Sequence, residues 1–372
     1  MLKSSVRPCI AALLAGWSML AGAVPEPDAS PQERSAIETC LGLLPAKTQV
    51  AIALLRGNER RFLGAEKAPE GLRYLDNRQR AFQIGSITKV FTATLFAQQV
   101  KKGALGLEDP VQQHLPFRLK VSGQDGAAMT LKQLASHTSG IGHHQPPGLM
   151  THAFFHGHTG EPWKDYDQGR FDGYLKQDLA LASRPGSRYF YSNLGMSLLG
   201  RILCLRTSRT YEAMLQEDLF GPMGMRTSTT EITRIRDRLV EGLDARGKPM
   251  PNQDMNALAP CGGLFTTAED LAIFLRAQFE PADAAITLTQ VPVFTIEEGY
   301  RVALGWHLVD WKQGWRMLNH NGGIGGYTAS LFVDPKNHCA ALVLSNITND
   351  EVPGEKVRQL CRDLIRGLES KP

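Results

Sequence analysis

The chain has 372 residues, and its 41 Lys plus Arg against 37 Asp plus Glu leave a formal net charge of +4. That near balance, with no basic stripe along the chain, excludes a polyanion-binding surface of the nucleic-acid type. Six widely spaced cysteines without a CxxC pair exclude a cysteine-rich zinc module.

The first segment, "MLKSSVRPCIAALLAGWSMLAGAVPEP", has Lys3 and Arg7, then an apolar run from Cys9, then Ala21-Gly22-Ala23. Basic, apolar and small-x-small in that order predict a cleavable secretory signal over residues 1–23 and a periplasmic location. The mature part, 24–372, then has 39 basic residues (41 − 2) against 37 acidic, a charge of +2. It is long enough to bury a large core, and no later stretch is apolar enough to span a bilayer.

"SPQERSAIETCLGLL" predicts a first helix capped by Ser30 with Pro31 in its first turn. "TQVAIALLRGNERRFLGAEK" predicts two strands joined at Gly57-Asn58. From about Leu107 to Ala277 helical segments alternate with Pro- and Gly-rich loops, one helix opening at Thr267 with Glu269 and Asp270 in its first turn. Strands return in "RVALGWHLVD", "WRMLNH", "YTASLFVD" and "HCAALVLSN". The chain closes on a helix whose Val357, Leu360, Cys361, Leu364, Ile365 and Leu368 form one stripe. Strands at both ends around helices predict an α+β, two-lobed fold. An antiparallel sheet lobe (about 30–85 and 285–372), flanked by the N- and C-terminal helices, carries an inserted all-helical lobe (about 86–284), with a cleft between them.

Three short patterns could carry chemistry. In "QIGSITKVF", Ser86 and Lys89 stand three apart where an apolar helix begins, so they share a face. A serine hydroxyl needs an adjacent base to become a nucleophile, and a lysine serves as one only when burial or a second cation lowers its pKa. In "RPGSRYFYSNLG", Tyr191 and Asn193 follow a Pro-Gly turn and precede a helix. In "LNHNGGIGGYTASLFVD", His320-Asn321-Gly322-Gly323 runs into a strand, and its glycines allow close backbone approach.

Ser86-Ile-Thr-Lys89, Tyr191-Ser-Asn193 and His320-Asn-Gly322 resemble the three motifs of the penicillin-recognising serine hydrolases. The wording of "LKQLASHTSGI" and "LFGPMGM" is closest to the branch of class C β-lactamases, low-molecular-weight DD-peptidases and related esterases. The resemblance runs from about Val50 to Asn346 and implies a β-lactamase/transpeptidase-like fold. It implies Ser86 as the acylated nucleophile, with Lys89 and Tyr191 as a coupled proton-transfer pair. Asn193 would bind the substrate amide and steady Lys89. The N–H groups of Ser86 and Gly323 would form the oxyanion hole beside Gly322. Gln145 falls where a further substrate-amide contact is expected.

The third motif usually begins with lysine. Here it is His320, which titrates near 6.5 and would offer a substrate carboxylate only part of a charge at neutral pH.

The expected activity is therefore hydrolysis of β-lactams through an acyl-enzyme on Ser86. D-Ala-D-Ala carboxypeptidase or endopeptidase action on peptidoglycan stem peptides and esterase action are the alternatives, and a penicillin-binding receptor is the non-enzymatic one. No cofactor is required. One local oddity is "SHTSGIGHHQPPGLMTHAFFHGH", which holds six of the ten histidines: His137, His143, His144, His152, His156 and His158. It reads as a solvated loop at the cleft rim. His152 and His156 at helical spacing, or His156 and His158 on a strand, could instead hold a divalent metal such as zinc. The mature protein is expected to be a monomer with no nucleic-acid partner.

Overall fold

The computed structural model describes residues 28–121, 128–142, 148–150, 160–279, 282–311 and 315–369. The signal segment, Gln145 and the histidines His143, His144, His152, His156 and His158 lie outside these residues.

Helix α1 (Pro31–Gly42) begins where Ser30 and Glu33 cap each other's backbone N–H groups. β1 (Gln49–Arg56) and β2 (Glu59–Ala68) follow as a hairpin through Gly57-Asn58, then β3 (Gly71–Tyr74) and β4 (Ala81–Gln83). Helix α2 (Thr88–Lys101) runs from the nucleophile turn. The inserted region is mainly helical, with α3 (Leu131–Ala135), α4 (Gln168–Gln177), α5 (Asn193–Thr207), α6 (Ala268–Arg276) and α7 (Ala284–Thr289) as labelled segments. It also holds β5 (Gly242–Leu243), β6 (Pro249–Met250) and β7 (Phe265–Thr267), so the expectation of an all-helical lobe fails: β5 pairs with β6, and β7 with β4. Strands β8 (Phe294–Glu297), β9 (Tyr300–Val302), β10 (His307–Trp311), β11 (Trp315–Ile324), β12 (Tyr327–Asp334) and β13 (Cys339–Ser345) lead to the last helix, α8 (Glu351–Glu369).

Nine strands form one antiparallel sheet in the order β3-β2-β1-β13-β12-β11-β10-β9-β8. The two ends of the sequence meet where β1 pairs with β13, Val50 opposite Ser345 and Arg56 opposite Cys339. Period-two alternation divides β1 between two cores. Val50, Ile52 and Leu54 pack with Ile37 and Leu41 of α1 and the α8 stripe, while Ala51, Ala53 and Leu55 face the core built on α2, α5 and α6. All six predicted stripe residues of α8 are buried.

The strands β3 to β8 escaped sequence reading. β8 is an edge strand with a register shift between Thr295 and Glu297, so its pattern is not a clean alternation. The ladder of β4 with β7, Gln83 opposite Phe265, is three residues long. That short ladder matters because β4 leads directly into the Ser86 turn.

Candidate active site

Ser86 sits in a single 3-10 turn, Gly85–Ile87, that feeds α2. Gly85 has φ +50°, and a Cβ there would lie 2.8 Å from the backbone of Gly323, so only glycine fits between the turn and β11. The Thr88 hydroxyl donates to the Gly85 carbonyl (2.7 Å) and accepts from the Leu264 N–H (3.1 Å), tying the turn to the strand-helix junction behind it.

Lys89, one turn on, is fully buried. Its Nζ donates to Ser86 Oγ at 3.0 Å and to the Cys261 carbonyl at 2.5 Å. Both partners are uncharged, and a buried amine bonded to a hydroxyl is the geometry in which a proton can pass between them. Nζ also lies 4.9 Å from the centre of the Tyr191 ring.

His137 holds the loop that carries that ring. It sits in the left-handed region (φ 58°) and is buried, and its carbonyl accepts from Phe190 N–H at 2.7 Å. Its Nδ1 accepts from Ser192 N–H at 3.2 Å, and its ring packs on Tyr191 with centres 4.4 Å apart. The solvated-loop reading of the histidine segment therefore fails at His137, which is a core residue. Ser192 caps α5, and Asn193, its first residue, has a buried Oδ1 with no hydrogen-bond partner among the described residues. A buried acceptor left without a donor is costly.

β11 supplies the opposite wall. A Cβ on Gly322 would fall 1.9 Å from the Ile84 carbonyl oxygen and 3.2 Å from Ser86 N. The strand backbone thus lies directly against the nucleophile turn. His320, two residues earlier and so on the same face of the strand, is 2% exposed. Its Nδ1 contacts the Asn321 carbonyl at 2.8 Å, and since a carbonyl only accepts, the proton is on Nδ1. Nε2 is buried and has no partner among the described residues.

Burial first, then His307 and Lys89, hold the His320 imidazole well below its usual range. At neutral pH this ring is uncharged, not partly charged as its sequence position suggests. His307 on β10 lies beside it with ring centres 5.3 Å apart, bonded through Nε2 to the Tyr189 hydroxyl at 2.9 Å and stacked on Tyr300. Burial, and secondarily Lys89, pushes His307 down to about 4.

The far side of Gly323 is covered by Asn349, whose Nδ2 lies 2.4 Å from where a Gly323 Cβ would be. Arg358 of α8 donates to Asn349 Oδ1 at 2.6 Å and to Glu355 at 2.9 Å. That bond spends the amide oxygen and leaves Nδ2 as the donor beside Gly323. The structure thus gathers Ser86, Lys89, Tyr191, His320, Gly322 and Gly323, with Asn193 two residues from Tyr191. Gln145, His152, His156 and His158 lie outside the described residues. Among those residues no group of three His, Cys, Asp or Glu side chains could hold a metal.

Sequence reading missed the Cys261 carbonyl, Tyr189, His307, Asn349 and Arg358. Only Tyr189 carried a local signal, since Tyr189-x-Tyr191 sends alternate rings the same way in extended chain.

The arrangement can be set beside known proteins. A sequence model of the β-lactamase family matches residues 49–364. The D-alanyl-D-alanine-carboxypeptidase/endopeptidase AmpH of Escherichia coli is 26% identical over 315 residues, 80% of this chain and 79% of that protein. Penicillin-binding protein 4 of Amycolatopsis lactamdurans is 29% identical over 293 residues, 71% and 72% of the two chains. Two solved structures share the fold: the octameric penicillin-binding protein homologue from Pyrococcus abyssi and a class C β-lactamase from Rhodobacter sphaeroides. Each has a TM-score of 0.75, at 23% and 20% identity, and they cover 90% and 92% of this chain and 77% and 100% of their own. The match over residues 49–364, on a sheet and site of this construction, means that the chain belongs to the β-lactamase family.

Proposed function

We propose that the chain is an exported serine acyl hydrolase that forms an acyl-enzyme on Ser86 and releases the acid with water. The observation that carries this reading is the fully buried Lys89 side-chain nitrogen 3.0 Å from the Ser86 hydroxyl. Lys89, with Tyr191 beside it, takes the serine proton as Oγ attacks the substrate carbonyl. The same pair returns a proton to the leaving nitrogen. The N–H groups of Ser86 and Gly323 hold the oxyanion, a contribution of about 3–4 kcal/mol per donor. Asn193 Oδ1, a buried acceptor awaiting a donor, receives an N–H from the substrate acyl side chain. Asn349 Nδ2, whose amide oxygen is held by Arg358, offers a neutral N–H donor to the substrate carboxylate where His320 brings no charge.

The preferred substrate is the D-alanyl-D-alanine end of a peptidoglycan stem peptide. Support comes from likeness to a protein named as a carboxypeptidase/endopeptidase. β-Lactam hydrolysis, expected first from the sequence, is the second reading, because the acylation geometry serves both amides. Export rests on the N-terminal pattern, and no helix among the described residues is long and apolar enough to cross a membrane.

The test is stopped-flow turnover of a D-Ala-D-Ala peptide and a chromogenic cephalosporin, with mass spectrometry of the intact protein. D-Alanine release with a slowly cleared cephalosporin adduct, both lost in Ser86→Ala, is the expected result. Rapid cephalosporin turnover without peptide cleavage reverses the ranking. Full activity in Ser86→Ala sinks the whole reading.

A further inference from the structure

The row of paired residues Gly323, Thr328, Ser345 and Val50 marks the active-site edge of the sheet. Six steps along β1, roughly 20 Å at 3.3 Å per residue, the β1–β2 turn meets the β12–β13 turn, with Gly57 N–H donating to the His338 carbonyl at 2.8 Å. Between these turns and helices α6 and α7 opens a cavity of about 710 Å³. That volume is within the range of small-molecule pockets, and none of the residues proposed for catalysis lines it.

Its chemistry is polarised. Ile273 and Ile286 form an apolar floor. On one side the Arg276 guanidinium is held by the Asn58 side-chain oxygen at 2.7 Å and the Asn58 carbonyl at 3.3 Å. Both partners are neutral, so the cation is oriented but its charge is not cancelled by them, and further N–H groups of its fork remain to donate.

On another side Phe279 and His338 stack with ring centres 5.6 Å apart and planes at 10°. Presenting that imidazole is costly, because His338 has φ 51°, a left-handed conformation that disfavours a non-glycine residue. Strain kept in a tight turn that lines a cavity points to a use for the side chain. Asp283, which caps α7 through the Ala285 N–H at 2.8 Å, adds a negative pole at the rim and disfavours a polyanion.

We propose that this cavity is a second ligand site, remote from Ser86, that takes a small planar aromatic monocarboxylate. The carboxylate meets Arg276 and the ring lies against the Phe279–His338 stack over the isoleucine floor.

Sodium benzoate is the probe, with benzamide as its neutral isostere, read by ligand-observed NMR and thermal shift on the full chain. Saturable benzoate binding at least tenfold tighter than benzamide, unchanged in Ser86→Ala, is expected. Arg276→Gln should weaken it at least tenfold. His338→Gly should raise the melting temperature of the free protein, by relieving the strain, while weakening benzoate at least fivefold. The proposal is overturned by an absence of saturable binding or by equal affinity in Arg276→Gln. It is likewise overturned by loss of binding in Ser86→Ala, which would put the probe in the catalytic cleft. A His338→Gly protein that gains stability and binds as before would also overturn it.

Discussion

Gly322→Ala tests whether the contact between β11 and the nucleophile turn governs the reaction. The added methyl carbon would stand 1.9 Å from the Ile84 carbonyl oxygen, where ordinary contact begins near 3.4 Å, so turn and strand must separate by about 1.5 Å (3.4 − 1.9). Both groups are backbone, and Gly85 already packs 2.8 Å from Gly323 by the same measure, so neither side can yield by rotating a side chain. Overpacking of this kind costs about 1–3 kcal/mol of stability. A displacement above 1 Å at an oxyanion donor should cost about 10²–10³-fold in kcat. The assay is single-turnover acylation by mass spectrometry alongside a melting curve, since the substitution acts on both. Acylation within threefold of wild type, in a protein that melts a few degrees lower, would refute the argument that this backbone contact sets the oxyanion geometry.

Lys89→Ala should lower the acylation rate about 10²–10⁴-fold, the contribution of a positioned proton acceptor, and stopped-flow acylation reads it directly. Asn349→Ala should raise KM for carboxylate-bearing substrates about tenfold with kcat nearly unchanged, and should leave the matching C-terminal amide substrate unaffected. Leu364→Ala, in the stripe of α8 and 2% exposed, should cost about 2–5 kcal/mol by denaturant unfolding with little effect on turnover of the folded enzyme.

Stability should also depend on pH. His307 is held neutral in the fold down to about 4, while a histidine of the unfolded chain takes up its proton near 6.5, so between these values the unfolded state binds more protons. Stability should therefore be full above about pH 6.5 and fall as pH drops toward 4. The loss is up to about 3 kcal/mol for this one group at 1.36 kcal/mol per unit, and His307→Gln should flatten that part of the melting-temperature profile.

The sequence alone determined the elements whose cause is local. Ser30 with Glu33, and Thr267 with Asp270, start their helices because a side chain can meet an N–H three residues on. The Gly57-Asn58 hairpin and the α8 stripe follow from turn chemistry and from a 3.6-residue period. The Ser86–Lys89 contact was legible for the same reason, since one helical turn brings i and i+3 together. Only the tertiary structure decided what surrounds that pair. Pairing of β10 with β11 sets His307 against His320 and removes the charge expected there, because burial is a property of the assembled sheet and not of the residue type. The Cys261 carbonyl reaches Lys89 from 172 positions away, and Asn349 covers Gly323 from the loop that leads into the last helix. Such partners have no fixed spacing in the chain, so no periodicity or motif announces them.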